Sequence, residues 1–417
     1  MRKIIQITVT IITVLSSLSI YAQSTQDGFN QIDYEITDSI YSKTLNSYRH
    51  FWVKLPENYN PKSKAKYPVI YLLDGFSLKS SLEVVYDNYW GHYMPHMILV
   101  GISNRKNRTR NLTISKIENR RGATMQNESG GAEQFTTFIE TDLMPYIDKT
   151  FQTSRYRTLI GHSYAGLFTI NVLLKHSHLF NNYIAIDPSL DWDGQKLLKE
   201  AKVKLKSKSF KGKSLFVAFA AEQLHMSDDT VTIDNLMENT SEFTLFPRSI
   251  VEFSEYASAQ KQNGLQFSWK VYPEDLHGTV PLPAIRDGLV AVFKWYQFKS
   301  PQTYNNPETS IEDLIESLKN QEEIYKNHFG YVVPPMVEEL FVGYGHMYFQ
   351  TDQKEKAKLF LNKAIEYYPN KTLAYEMLAD YFESVNDIEN AIKHLNIAYN
   401  INRDEQLKRR IEALSQN

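Results

Sequence analysis

Residues 156–174 read YRTLIGHSYAGLFTINVLL, the most specific pattern in the chain. YRTLI is typical of a short buried strand, and GLFTINVLL has the composition of a buried helix. The turn between them carries Ser163, with Gly161 two residues before it and Ala165 two residues after it. Small residues at those places let a strand and a helix pass closely around a strained turn. The stretch therefore predicts that Ser163 is presented at the end of a central strand as a nucleophile.

Short apolar runs recur on both sides of this turn. They lie at 67–73, 97–100, 183–186, 215–219 and 267–272, and residues 34–55 add alternating stretches that indicate edge strands. Helical stretches such as 132–151 and 165–176 separate the runs, which is the order of parallel β-α-β units. The sequence predicts a doubly wound, mostly parallel α/β sheet in a domain over residues 23–300.

The sequence pattern changes from alternating strands and helices to helices alone after this domain. Residues 301–310 (PQTYNNPETS) lack apolar periodicity and predict a linker, and residues 311–417 are compatible with helix throughout. Eight positions recur at a spacing of 34, the tetratricopeptide period: Phe341, Tyr344, Gly345, Tyr348, Ala357, Leu361, Ala364 and Pro369 against Tyr375, Leu378, Ala379, Phe382, Ala391, Leu395, Ala398 and Arg403. We expect a small all-α, tetratricopeptide-like repeat domain that packs on the first domain to bury its open face.

Composition limits where the protein works and what it binds. The 46 basic and 48 acidic side chains nearly cancel, which gives no electrostatic case for nucleic acid. Residues 1–22 combine Arg2 and Lys3 with an apolar run and a small residue, Ala22, and predict a signal peptide. The alternative, a membrane anchor, is disfavoured by the Ser and Thr residues within the run. We expect an exported protein, periplasmic or secreted, with no stable membrane span after cleavage and, since it has no cysteine, no disulfide.

A serine hydroxyl needs a base, and the histidine that follows the final predicted strand has the expected place. That residue is His277, in YPEDLHGTV, with His225 as the runner-up. His176 and His178 are more simply explained as surface residues. The carboxylate that orients the base is expected after the penultimate strand, which favours Glu222. The other candidates are Asp228, Asp229, Asp234 and Glu242 in the loop that follows it.

Backbone amides are expected to bind the oxyanion that forms when serine attacks a carbonyl. Tyr164, the residue after the nucleophile, supplies one. Phe76 supplies the other, because Asp74-Gly75 ends a central strand and glycine lets the next amide turn toward the site. Asp74 itself is interpreted as a structural turn former.

The stretch from about 49 to 296 resembles the putative-esterase family of α/β hydrolases, which includes esterase D, siderophore esterases, feruloyl esterases and mycolyltransferases. The matching signatures are YPVIYLLDG (67–75), ILVGISNRKNRTRNLT (98–113), GGAEQFTTFIETDLMPYIDKTF (130–151), RTLIGHSYAGLFTINVLL (157–174), DPSLDWD (187–193) and YPEDLHGTVPL (272–282). The resemblance implies the α/β-hydrolase fold, ester substrates, no metal, and catalysis by Ser163 and His277. This chain departs from the family at Asn111, where relatives often have Asp, and at Asp187 and Asp191, where they often have Ser and Trp.

Arg108, Arg110 and Trp192 are the predicted substrate-binding residues. The arginines suit an acidic or catechol-bearing group, although solvated surface arginines are the simpler interpretation. The favoured function is a cofactor-free serine hydrolase acting on a small-molecule or glycan-linked ester, such as a siderophore or a polysaccharide acyl group. Two alternatives compete with it: an acyltransferase with the same residues, and an inactive binding protein that captures a peptide or protein partner through its repeats.

Overall fold

The computed structural model describes residues 35–416 except 58, 63–64, 92, 121, 223, 225–229 and 299–300. The predicted signal peptide lies outside the described residues, as do His225, Asp228 and Asp229. Within the described part of the chain, no helix is long and apolar enough to cross a membrane.

The described residues of the first domain form ten strands. They are β1 (Glu35–Ser42), β2 (Ser47–Lys54), β3 (Tyr67–Leu72), β4 (Ile98–Ile102), β5 (Asn119–Arg120), β6 (Ala123–Thr124), β7 (Thr153–His162), β8 (Asn182–Ile186), β9 (Ser214–Ala220) and β10 (Gln266–Tyr272). Eight of them form one sheet in the order β1-β2-β4-β3-β7-β8-β9-β10, and β5 pairs with β6 in a separate small hairpin.

The sheet is parallel from β4 to β10, and β2 runs antiparallel to both β1 and β4. This confirms the predicted fold class, including the edge strands near the N-terminus. The central strands β3, β4, β8 and β9 are buried along their whole length, because helices cover both faces. That double cover is why their sequences are continuous apolar runs and not alternating ones.

The helices of the first domain are α1 (Gly75–Tyr89), α2 (Arg108–Leu112), α3 (Ala132–Phe138), α4 (Met144–Thr150), α5 (Tyr164–Lys175), α6 (Trp192–Ser207), α7 (Leu245–Ala259) and α8 (Pro281–Val292). A π-helical turn, Ile139–Leu143, joins α3 to α4. Side chains alternate across each strand, so Val69 and Tyr71 of β3 belong to one core cluster while Ile70 and Leu72 belong to the other. Helices α3–α7 pack on the first face, and α1 and α8 on the second.

The C-terminal region is helical: α9 (Pro301–Asn305), α10 (Ile311–Phe329), α11 (Glu338–Gln350), α12 (Lys354–Tyr367), α13 (Leu373–Ser384), α14 (Ile388–Asn402) and α15 (Glu405–Ser415). Helices α11–α12 and α13–α14 are the two helical pairs that the 34-residue spacing predicts. A Cβ atom on Gly345 would lie 2.7 Å from the Leu361 side chain, so the small residue is what lets α11 and α12 approach. The division at 300 and 310 stays a prediction.

Tyr304 anchors residues 301–310 to the helical region in spite of their linker-like composition. Tyr304 of α9 is fully buried, its hydroxyl donates to Ser317 Oγ at 2.7 Å, and its carbonyl accepts from the Tyr348 hydroxyl at 2.6 Å. Because the residues around Tyr304 in the sequence are polar, apolar periodicity does not predict that Tyr304 is buried.

Aromatic side chains fasten the helical region to the first domain. The rings of Tyr325 and Tyr296 stack at 4.7 Å, and the Tyr325 hydroxyl donates to the Tyr296 carbonyl at 2.8 Å. Phe329 meets Tyr156, at the start of the central strand β7, edge to face at 5.2 Å. Because these residues share one core cluster with α1 and α8, α10 joins the helical region to the first domain.

Candidate active site

Ser163 occupies a strained turn between β7 and α5. Its φ of 63° and ψ of −117° lie in a region that residues other than glycine rarely adopt, at a cost of about 1–3 kcal/mol. Its N–H donates to the Ile186 carbonyl at 2.9 Å, and its own carbonyl accepts from Ser189 N at 3.1 Å and Leu167 N at 3.0 Å. These bonds to β8, to the loop after β8 and to α5 hold the serine in place.

The small residues around Ser163 are required by close contact. A Cβ atom on Gly161 would lie 2.2 Å from the carbonyl oxygen of Ala165, and one on Gly166 would lie 3.0 Å from the carbonyl oxygen of Ile186. Ala165 is fully buried, which shows that alanine fits the second small position. The strand and the helix therefore cross around the serine as the sequence predicts.

The carboxylate that contacts His277 belongs to Asp187, the residue directly after β8. Its Oδ2 lies 2.5 Å from His277 Nδ1, and its Oδ1 accepts the N–H of Ala220 at 3.1 Å. Asp187 is fully buried and has a φ of 43°, so a turn places its side chain between two strand ends. A buried carboxylate fixed at one oxygen can orient the imidazole through the other.

This geometry corrects the choice of Glu222. Glu222 follows β9, and its N–H donates to the Asp275 carbonyl at 3.3 Å in the loop that leads to His277. Of the other candidates, Asp234 and Glu242 are exposed. The carboxylate that contacts His277 follows β8, one strand earlier than expected, and β8 lies beside the strand that leads to Ser163. One sequence feature could have indicated Asp187 as the carboxylate: it stands where relatives of the family often have serine.

The ring of His277 lies against the residue that precedes the nucleophile. Its centroid is 4.4 Å from that of His162, and Phe246 approaches it edge-on at 5.6 Å. The His277 side chain is 39% exposed, so a substrate can reach it from solvent. Since Asp187 engages Nδ1, Nε2 is the nitrogen left to accept a proton.

Both predicted oxyanion donors begin helices. Tyr164 is the first residue of α5 and Phe76 the second of α1, and N–H groups at such positions have no acceptor within their own helix. Gly75 passes so close to β4 that a Cβ atom would lie 2.4 Å from Gly101, and Asp74 turns the chain with a φ of 51°. The glycine is thus required where the sequence predicts that the chain turns Phe76 toward the site.

The predicted substrate-binding residues are not equivalent. Arg108 lies in the site: its Nε donates to Asp74 Oδ2 at 2.9 Å and its Nη2 to the His162 carbonyl at 3.2 Å. Arg110 is 38% exposed, and its Nε lies 3.8 Å from Glu128 Oε2. Trp192 is fully buried, with its Nε1 donating to the Ser115 carbonyl at 3.2 Å, so it supports the site from within the core and is not on the substrate surface.

Sequence reasoning missed Arg120. Its Nη2 donates to both oxygens of Asp191, at 3.0 and 2.9 Å, and its Nη1 donates to the Tyr164 hydroxyl. The guanidinium also lies over the Trp192 ring, 5.1 Å from the centroid. Arg120 therefore holds the side chain of Tyr164, the residue after Ser163. It belongs to a two-residue strand in a short hairpin, where no periodicity marks it.

His162 is held neutral beside the site. Burial above all, with smaller contributions from the neighbouring His277 and Arg108, lowers the pKa of His162 to about 3. Its Nε2 is buried and has no hydrogen-bond partner among the described residues. The described residues contain no group of three or more His, Asp or Glu side chains able to hold a metal ion.

The chain is similar to known esterases. Residues 42–246 match the sequence profile of the Putative esterase family, and residues 338–371 match that of a tetratricopeptide repeat. The ferri-bacillibactin esterase BesA of Bacillus subtilis is 31% identical over 214 residues, which cover 47% of this chain and 73% of the relative.

Solved structures extend the likeness to the fold. An IroE-like serine hydrolase from Shewanella oneidensis matches with a TM-score of 0.64 and 25% identity, over 80% of this chain and 99% of its own. An uncharacterised protein from Capnocytophaga ochracea matches with a TM-score of 0.58 and 18% identity, over 92% of this chain and all of its own. The second likeness concerns the fold alone, and it includes most of the helical region.

We expect His162 to make the stability of the protein fall as the pH is lowered. The pKa of His162 is about 3 in the folded chain and 6.5 ordinarily. Between these values the unfolded chain binds a proton at His162 and the folded chain does not. The contribution of neutral His162 to the free energy of unfolding is present above pH 6.5. It is lost as the pH falls toward 3, and the free energy of unfolding then changes by up to about 1.4 kcal/mol per pH unit. The variant His162→Asn should show a smaller slope in urea unfolding between pH 7 and 4.

The matched control is His50→Asn, at an exposed position of β2. It should retain more of the wild-type slope than His162→Asn does. Equal slopes in the wild type and in His162→Asn would contradict the proposed role of the buried imidazole.

Proposed function

This chain belongs to the Putative esterase family of α/β hydrolases and is a carboxylic ester hydrolase, and we propose that Ser163 is its nucleophile, His277 its base and Asp187 the orienting acid. The observation that carries the proposal is the 2.5 Å contact between Asp187 Oδ2 and His277 Nδ1, beside the strained turn of Ser163. A serine in such a turn, with an oriented imidazole beside it, suits acyl transfer.

In the proposed reaction, Nε2 of His277 takes the proton of Ser163 Oγ as that oxygen attacks the ester carbonyl. Asp187 keeps the proton on Nδ1 and stabilises the imidazolium that forms. The C–O bond of the ester then breaks, the imidazolium protonates the departing alkoxide, and an acyl-enzyme is left on Ser163. Water, deprotonated by the same nitrogen, releases the acid and restores the serine.

The negative oxygen of each tetrahedral intermediate is proposed to bind the N–H groups of Phe76 and Tyr164. Donors of this kind are effective because they are already oriented before charge develops. Bonds to the neighbouring core support both positions: Trp52 Nε1 donates to the Gly75 carbonyl at 3.0 Å, and Arg120 holds the Tyr164 side chain.

The relatives favour an ester bond of a siderophore as the substrate, since BesA is named as a ferri-bacillibactin esterase. Arg108 supplies a cationic group beside the nucleophile that suits an acidic or catechol-bearing acyl group. Hydrolysis of a siderophore trilactone by the purified protein, followed by chromatography of the products, tests this substrate class. Turnover of simple aryl esters with none of the trilactone would reject it.

Export is a further part of the proposal, resting on the basic start and apolar run of residues 1–22. Protein recovered from outside the cytoplasm of an expressing bacterium should begin at Gln23 when its N-terminus is sequenced. Recovery of the full chain, starting at Met1, from the cytoplasm would contradict export.

The helical repeats are proposed to bind a peptide or protein partner, as repeated helical pairs offer an extended surface for one. Chemical crosslinking of the full exported chain in its host, followed by mass spectrometry, tests this proposal. It predicts crosslinks to another protein within 338–416, and their confinement to the first domain would oppose it.

A fluorophosphonate probe should label Ser163. The probe forms a stable phosphonyl ester with an activated serine, so peptide mass spectrometry should find the adduct on that residue alone. Ser163→Ala should abolish labelling and lower kcat by about 10⁴-fold or more. Ser207→Ala, at an exposed serine of α6, is the matched control and should label as the wild type does. An adduct on another serine, or an unchanged Ser163→Ala enzyme, would refute the assignment.

Asp187 and Glu222 are distinguished by a pair of amide variants. Asp187→Asn should lower kcat by about 10³- to 10⁴-fold, because the amide favours the wrong imidazole tautomer and cannot stabilise the imidazolium. Glu222→Gln should keep the wild-type kcat. Melting temperatures of both variants, measured alongside, separate a loss of chemistry from a loss of fold. The reverse ranking of the two variants would restore Glu222 as the acid.

A further inference from the structure

Arg108 connects the two chain segments that carry the proposed oxyanion donors. Its Nε and Nη2 donate to Asp74 Oδ2, at 2.9 and 2.8 Å, and Nη2 also donates to the His162 carbonyl at 3.2 Å. Asp74 lies two residues before Phe76 in the first segment. His162 lies two residues before Tyr164 in the second. One planar guanidinium thus spans both segments.

Asp74 and Phe76 belong to one hydrogen-bonded turn. The Asp74 carbonyl accepts the N–H of Ser77 at 2.9 Å, so Phe76 lies inside the turn that Asp74 begins. The peptide unit that carries the Phe76 N–H is also fixed, since its oxygen, the Gly75 carbonyl, accepts from Trp52 Nε1 at 3.0 Å. The bond from the guanidinium to the Asp74 carboxylate is a second attachment of the same turn.

The peptide unit that joins His162 to Ser163 is held at both polar ends. Its oxygen accepts from Arg108, and its N–H donates to the Ile186 carbonyl at 2.9 Å. Only two backbone dihedrals, φ and ψ of Ser163, separate this unit from the one that carries the Tyr164 N–H. The guanidinium of Arg108 also lies over the Tyr164 ring, 5.3 Å from the centroid.

Arg108 extends from a backbone that is itself fixed. It is the first residue of α2, where the Arg110 carbonyl accepts the N–H of Gly131, just before α3, at 2.7 Å. The side chain of Arg108 is 33% exposed and that of Asp74 is 11% exposed, so the pair is partly shielded from solvent. A lysine would keep the charge at this position, but its ammonium lacks the planar fork of donors.

We propose that Arg108 is a positioning residue that sets the separation of the two proposed oxyanion donors, the N–H groups of Phe76 and Tyr164. It acts through Asp74 on one side and through the His162 carbonyl on the other. The role rests on the proposed function, which takes these two N–H groups as the donors. It gives Arg108 an effect on kcat for every ester, whatever the charge of the acyl group. A cation that only attracts an acidic substrate would instead change KM for anionic esters.

The test uses a neutral ester, p-nitrophenyl butyrate, so that attraction between Arg108 and a charged substrate plays no part. Asp74→Asn removes the carboxylate and keeps Arg108, and asparagine tolerates the left-handed turn at this position, where φ is 51°. We expect Asp74→Asn, Arg108→Gln and Arg108→Lys each to lower kcat by about 10- to 100-fold and to change KM by less than about 2-fold. The double variant Asp74→Asn/Arg108→Gln should be no slower than Arg108→Gln, because both substitutions remove one bridge.

A trifluoromethyl ketone measures the oxyanion site itself. The Ser163 oxygen bonds to its carbonyl carbon and the serine proton passes to His277, which leaves a negative oxygen like that of the tetrahedral intermediate. The Ki of the ketone should rise in each variant by the factor by which kcat/KM for the ester falls. Active-site titration with a fluorophosphonate gives the folded fraction, so a folding defect lowers that fraction and leaves Ki unchanged.

Asp148→Asn is the matched control. It removes the carboxylate of another Arg–Asp pair, with Arg157 Nη2 at 2.5 Å, and Arg157 lies roughly 20 Å along β7 from Ser163. Its kcat and Ki should equal those of the wild type.

Three results would overturn the bridge: unchanged kcat and Ki in Asp74→Asn, losses of the two single variants that multiply in the double variant, or wild-type kcat in Arg108→Lys. Each counts against the bridge alone while the wild type forms its fluorophosphonate adduct on Ser163. Absence of that adduct from the wild type would reject the proposed function as well.

Discussion

The site depends on the buried carboxylate of Asp187, which links three strand ends. Oδ1 accepts the N–H of Ala220 at the end of β9, Oδ2 meets His277 in the loop after β10, and the preceding residue of β8 accepts the N–H of Ser163. A charged group without exposure is tolerated only when its oxygens are engaged, and these bonds engage them. The same bonds set the distance between the serine turn and the histidine loop. The parallel sheet matters for function because it brings these strand ends to one edge.

Much of the architecture could be predicted because it depends on local patterns. The buried strands are continuous apolar runs, and the turn at Ser163 requires small residues at fixed offsets. Short stretches of sequence therefore predict both features. The carboxylate that contacts His277 could not be found in this way. Asp187 meets His277 across ninety residues of chain, and apart from its departure from the family pattern no local feature distinguishes it from the acidic residues near Glu222. Only the order of the strands in the sheet places β8, and not β9, next to the serine.

The helical region shows the same division between local and distant information. The 34-residue spacing predicts the helical pairs, since each pair buries small residues against its own partner. Its attachment depends on aromatic residues that have no common period: Tyr304 inside a polar stretch, and Tyr325 and Phe329 on α10. Phe329 reaches Tyr156, which begins the strand that ends at the nucleophile. The helical region therefore stabilises β7 at the end opposite the site.

Two departures from the family pattern, Asp187 and Asp191, lie on the same loop. Asp187 contacts His277, while Asp191 holds Arg120, which in turn donates to the Tyr164 hydroxyl. The side chain of Asp191 is 4% exposed and its partner Arg120 is 17% exposed, so the pair is shielded from solvent and little weakened by salt. Two nitrogens of Arg120 bind different partners: Nη2 donates to Asp191 and Nη1 to the Tyr164 hydroxyl, while the guanidinium lies over the Trp192 ring. One loop thus contacts both parts of the proposed site: His277 through Asp187, and the side chain of Tyr164 through Asp191 and Arg120.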